Sequence, residues 1–153
     1  MPIQLGQEKD LVSISVSSPI TELDFNKYIE QLSSILYKRK HFYLLIDLTQ
    51  MEEIPYRFIL GQGMYMKRMS KWVQKYLGAS SIIFKSKVTA NLIDLLFTIK
   101  KPVRPNLLTR DPTEALNFLA QIKRSNCSYT DNNCNSIDTK DHLHYTLDDV
   151  LET

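Results

Sequence analysis

Apolar and polar residues alternate through Leu11-Val12-Ser13-Ile14-Ser15-Val16, the period of a half-buried strand. Ile3-Gln4-Leu5 makes a short strand before it, with Gly6 to Asp10 as the turn of a hairpin, and Pro19, which has no N–H to donate, ends the ladder. The spacing then changes to three and four. Phe25, Tyr28, Ile29, Leu32, Ile35 and Leu36 fall on one face of a helix that Thr21 or Asp24 caps and Lys38-Arg39-Lys40 close. Phe42-Tyr43-Leu44-Leu45-Ile46, ending in Asp47, is an unbroken apolar run and reads as a central strand buried on both faces.

A second helix is expected from about Tyr56 to Tyr76, with Ile59, Gln62, Met66, Met69, Val73 and Tyr76 on one face and Gly78 as its C-cap. Gly61 and Gly63 weaken its first half by about 1 kcal/mol each relative to alanine. Ala79 to Phe84 is a short strand, Val88 to Ile99 a third helix, and Asn106 to Thr109 a last strand. Asp111-Pro112-Thr113-Glu114 starts a helix, with aspartate as cap, proline at the first helical position and glutamate three residues after the cap. Ala115, Leu116, Phe118, Leu119 and Ile122 form its apolar face. The order β-β-α-β-α-β-α-β-α implies an α/β fold, a mostly parallel mixed sheet of four to five strands with helices packed on it. The expected division is a domain over residues 1–122 and a polar, acidic, disordered tail over 123–153.

Charge changes this picture. The 153 residues carry a net charge of +2, but residues 56–110 hold eleven Lys/Arg against Asp94 alone, whereas residues 111–153 hold three against eight Asp/Glu. Excess cation in one segment calls for acidic neighbours or an acidic partner. The tail is expected to lie transiently over the basic segment, in contacts that are weak and screened by salt. The alternative is a docking peptide around Tyr145 to Leu151. Both cysteines, Cys127 and Cys134, lie in the tail and read as free thiols of a cytoplasmic protein. The N-terminus lacks the pattern of a secretory signal.

The chain resembles the STAS family, named for sulfate transporters and anti-sigma-factor antagonists, in its divergent branch grouped with Sec14-type lipid-binding folds. The resemblance is carried by Val12-Ser13-Ile14-Ser15-Val16 with Pro19-Ile20-Thr21, the helix Phe25 to Leu36, Tyr43-Leu44-Leu45-Ile46-Asp47-Leu48, and Asp111-Pro112-Thr113-Glu114-Ala115-Leu116. It spans about residues 8 to 122 and implies a scaffold for binding other proteins. Regulatory members of the family carry a phosphorylatable serine or threonine after the strand that corresponds to Ile46-Asp47-Leu48. Here no serine or threonine occurs from Met51 to Met69, so that switch is not carried over.

Candidate chemistry is sparse. Asp47 stands at a strand end, where ligands often bind, but a carboxylate bonded to loop N–H groups around Thr49 is the better reading. Glu52-Glu53 read as a solvated acidic turn, and His41 as a surface residue. Cys127, Cys134, His142 and His144 lack the tight pairs of a structural zinc site. No enzyme motif occurs, and no cofactor or metal is expected. The surface singled out is the basic ridge Lys67, Arg68, Lys71 and Lys75, flanked by Trp72, beside Leu60 and Met64. The expected role is a regulatory or protein-interaction module that binds an acidic partner surface there. An anionic membrane or a small apolar ligand is the alternative, a homodimer is compatible, and nucleic acid is disfavoured for want of a motif. A lipid pocket is disfavoured because core packing in so small a domain should leave no volume for it.

Overall fold

The alternating segment forms β2 (Leu11–Ser17), which pairs antiparallel with β1 (Ile3–Glu8), so the hairpin is longer than the pattern implied and turns on Lys9 and Asp10. Lys9 makes that turn in the left-handed region, at φ 55°. Helix α1 (Glu22–Tyr37) starts at a capping box. Thr21 Oγ1 accepts from the Asp24 N–H at 3.2 Å, and Asp24 Oδ2 accepts from the Thr21 N–H at 3.0 Å. In this computed structural model, which describes residues 2–52 and 54–130, the apolar run becomes β3 (Phe42–Gln50).

The remaining elements are α2 (Tyr56–Arg68), α3 (Ser70–Tyr76), β4 (Leu77–Ile83), α4 (Lys87–Ile99), β5 (Asn106–Thr109) and α5 (Pro112–Thr130). The five strands lie in the order β1-β2-β3-β4-β5, with β2 to β5 parallel and β3 at the centre. Because the parallel sheet grows in one direction, right-handed crossovers deliver α1, α2, α3 and α4 to the same face. Phe42, Leu44, Ile46 and Leu48 of β3 point to that face. Tyr43 and Leu45 point to the other, where α5 packs through Phe118, Leu119 and Ile122.

Three expectations are corrected. The helix expected over Tyr56 to Tyr76 is interrupted at buried Met69 (φ −96°, ψ 11°), because its two parts serve different neighbours. α2 packs on α4, while α3 packs on α1 and β4. Gly78 does not cap a helix but lies in β4, with an ordinary φ. A Cβ there would lie 2.5 Å from Tyr43 Cε1, so glycine is required by the close approach of a ring. The last helix does not close at Ile122, nor does order stop at residue 123. α5 continues to Thr130, Ser125 is buried, and Asn126 Nδ2 donates to the Tyr43 hydroxyl at 3.1 Å. Polar composition concealed this, since Ser125 satisfies itself on the Gln121 carbonyl. The expectations for Cys134, His142, His144 and the docking peptide lie outside the described residues.

Candidate functional site

Lys67 and Arg68 sit on the last turn of α2, and Lys71 and Lys75 on α3. All four are exposed, while Met69 is buried and Met66 and Val73 half-buried behind them. None of the four forms an ion pair among the described residues. The Arg68 guanidinium and the Lys75 ammonium lie over the rings of Tyr65 and Tyr76, each at 5.5 Å from the ring centre, as cation–π contacts. The ridge continues along α2 into exposed Leu60 and Met64, the latter 67% accessible.

Trp72 is held differently. It is half-buried against the core, edge-on to Tyr37 at 5.5 Å and stacked near Tyr76 at 6.1 Å, with the Arg39 guanidinium 5.4 Å from its ring centre. Its role in the fold is therefore to join α1 to α3. Arg39 and Tyr37 were missed as members of this surface, because the sequence separates them from Trp72 by more than thirty residues and only packing brings them together.

Asp47 Oδ1 accepts from the Thr49 N–H at 2.9 Å and from the Thr49 hydroxyl at 2.6 Å, as the local reading expected. Through that oxygen Asp47 shapes the end of β3. Among the described residues no three His, Cys, Asp or Glu side chains gather as metal ligands, and no helix is long and apolar enough to cross a membrane.

The expectation of a filled core is corrected as well. A cavity of about 200 Å³ lies between the sheet and α1, α2 and α4. Leu44 and Ile46, on the central strand, remain partly accessible because they face it. Above it, α2 packs on α4 and α3. Tyr28 and Tyr65 also line it, and burial raises both phenols above their usual range.

Two solved structures share this architecture. A DUF3478-family protein with a SpoIIAA-like fold from Shewanella loihica aligns with a TM-score of 0.53 at 18% identity, over 76% of this chain and 91% of its own. An anti-sigma factor antagonist from Mycobacterium paratuberculosis aligns with a TM-score of 0.54 at 15% identity, over 77% and 92%. No protein-family model matches the sequence, and comparison with curated proteins finds no match. The fold is thus STAS-like. In particular it is the SpoIIAA-like form, a five-stranded mixed sheet with its helices divided between the two faces.

Proposed function

We propose that this chain is a non-enzymatic regulatory module of the cytoplasm that docks an acidic protein surface on the outward side of α2 and α3. The observation that carries the reading is the ridge itself. Lys67, Arg68, Lys71 and Lys75 are exposed together without carboxylate partners among the described residues, next to exposed Leu60 and Met64. Apolar contact supplies the desolvated centre of such an interface, and the surrounding field speeds association and selects acidic partners. The use of the same fold by an anti-sigma factor antagonist supports a regulatory role for the scaffold. The absence of serine and threonine from Met51 to Met69 means that control by phosphorylation in that stretch is not part of the proposal. The acidic residues 131–153 compete for the ridge in this reading.

The test starts with affinity purification from the native host and identification of the bound partner. Binding of that partner to the parent and to a Lys71→Glu, Lys75→Glu double variant is then compared. Both positions are exposed, so thermal stability stays within about 0.5 kcal/mol of the parent. Affinity falls by about tenfold or more, and parent binding weakens steeply with salt. Removing residues 131–153 strengthens parent binding. A folded double variant that binds the partner as well as the parent does would overturn the proposal. Trp72→Ala is a poor probe, because that ring also holds α1 to α3.

A further inference from the structure

We infer that a second copy of this chain docks on the outer edge of β1, joining two sheets into one about a two-fold axis, with the two α1 helices side by side across the join. This surface is separate from the ridge on α2 and α3 and does not rest on the proposed function.

The register of the hairpin decides which backbone groups are free. The Ser17 N–H donates to the Pro2 carbonyl at 2.7 Å, and Ile3 to Glu8 oppose Val16 to Leu11 one to one. Bonded and non-bonded pairs alternate along an antiparallel ladder. Gln4, Gly6 and Glu8 therefore turn their N–H and C=O groups to β2, while Ile3, Leu5 and Gln7 turn theirs outward. The Asp10 carbonyl, which accepts from the Tyr43 N–H at 2.7 Å, fits the same alternation on the far side of β2. Among the described residues β1 pairs with β2 alone.

Free edges are normally blunted by short length, proline, lysine or a bulge. The other edge, β5, is four residues long and is entered through Pro105. β1 runs for six residues in unbroken register, without proline or lysine and with apolar Ile3 and Leu5. It is also self-complementary. Two copies laid antiparallel with Leu5 opposite Leu5 set each Ile3 against a Gln7, and every outward N–H meets an outward C=O, about six bonds in all. Glu8, the one charged residue of the strand, falls opposite Pro2 and meets no like charge.

Helix α1 repeats that symmetry. Glu30, Ser34 and Lys38 are exposed at intervals of four and share one stripe of its surface. Laid antiparallel to its own copy about Ser34, the stripe puts each Glu30 against a Lys38, with a small residue where the helices come closest. α1 lies over β1 and β2, and Lys38 Nζ donates to Gln7 Oε1 at 3.3 Å, so this end of the stripe stands at the edge. β1 and α1 both run opposite to β2. From Gln7 back to Leu5 is about 6.8 Å along the strand, and from Lys38 back to Ser34 is about 6 Å along the helix. The two centres of symmetry lie at the same height, so one two-fold axis beside Leu5 and Ser34 serves strand and helix together.

The experiment is sedimentation equilibrium of the full chain from micromolar to millimolar concentration. The expected mass rises from that of one 17.8 kDa chain toward twice that value. Lys38→Glu and Glu30→Lys should each weaken dimerisation about tenfold, since each sets like charges together twice per dimer, and the two combined should restore it to within about threefold of the parent. Gln7→Pro deletes an outward N–H without costing the β1–β2 ladder a bond, and should weaken dimerisation at least about tenfold. The Lys71→Glu, Lys75→Glu variant should dimerise as the parent does. With Cys127 and Cys134 replaced by serine, a short bismaleimide should link Ser34→Cys to its own copy and leave Glu22→Cys, about 18 Å further along the helix, unlinked. A chain that stays monomeric at every concentration overturns the inference. So does a combined charge reversal as weak as either single one, equal linking at both positions, a folded Gln7→Pro protein that dimerises normally, or a dimer lost on reversal of the ridge. Glu22, Glu30, Ser34 and Lys38 are all exposed, so the charge exchange and the cross-link decide the matter even if Gln7→Pro fails to fold.

Discussion

Substituting Gly63 by alanine sets two forces against each other. In an exposed helix the change gains about 1 kcal/mol. Here a Cβ on Gly63 would lie 2.6 Å from Ile99 Cγ2 and 3.0 Å from its Cβ, at the place where α2 crosses α4. Those atoms belong to the branch point of a side chain that is stiff at χ1, so relief requires the helices to part. Overpacking of this kind costs about 1–3 kcal/mol. A contact so short against a branch point belongs near the top of that range, leaving a net loss of about 2 kcal/mol. Gly61→Ala is the internal control. Its Cβ would stand 3.1 Å from Phe25 Cε1, on the edge of a half-buried ring that can tilt, so the propensity gain survives at least in part. Urea denaturation measures both, and the midpoint falls for Gly63→Ala at unchanged slope. Ile99→Leu moves the branch away from Cβ, and combined with Gly63→Ala it should restore about 1 kcal/mol relative to additivity. A Gly63→Ala protein as stable as the parent would refute the argument, as would an equal loss in Gly61→Ala.

Four further outcomes are expected. Gly78→Ala drives a Cβ into the Tyr43 ring and should lower stability by about 1–3 kcal/mol in the same urea assay, although the backbone there suits alanine. A chain ended after Ile122 should melt below one ended after Thr130, by about 1–3 kcal/mol, since it loses buried Ser125 and the Asn126–Tyr43 hydrogen bond; equal melting temperatures would restore the shorter domain boundary. Hydrogen bonds from the Thr21 side chain and backbone hold the Asp24 carboxyl below its ordinary 3.8, so its contribution is complete above that value and lost as pH falls through the lower folded value. Acid titration of Asp24→Asn should lack this component. Burial raises the Tyr28 and Tyr65 phenols above 10.0, so the folded state keeps its protons while the unfolded chain loses them. Stability should decline as pH rises past 10.0, and Tyr28→Phe should blunt that decline in alkaline unfolding curves.

The ridge and the cavity differ in how they can be read. Lys67, Arg68, Lys71 and Lys75 repeat at helical spacing, so burial of Met69 behind them is enough to expose all four, and a break at that very residue does not change the outcome. Trp72 obeys no such rule. Its spacing puts it at the margin of the ridge, yet Tyr37, the last residue of α1, and Arg39 in the turn after it, both far away in sequence, pack on its ring. The cavity left no trace in the pattern, since Leu44 and Ile46 look the same whether a helix or empty space lies above them.

Periodicity and capping chemistry were sufficient for the existence of the five strands, the starts of α1 and α5, and the order of elements apart from the break at Met69. These depend on residues within a few positions of one another, as at Thr21–Asp24 and at Asp111, whose carboxylate accepts the Thr113 N–H. With the right-handed crossover rule, that order also leads to a parallel sheet centred on Phe42–Gln50. Tertiary structure alone decided where the long helix breaks, why Gly63 and Gly78 are glycines, how far the last helix runs, and that a cavity lies between the sheet and the helices. Each of these turns on how closely two segments distant in sequence approach. Such a distance is set by the volumes of side chains from both, which no local stretch of either one encodes.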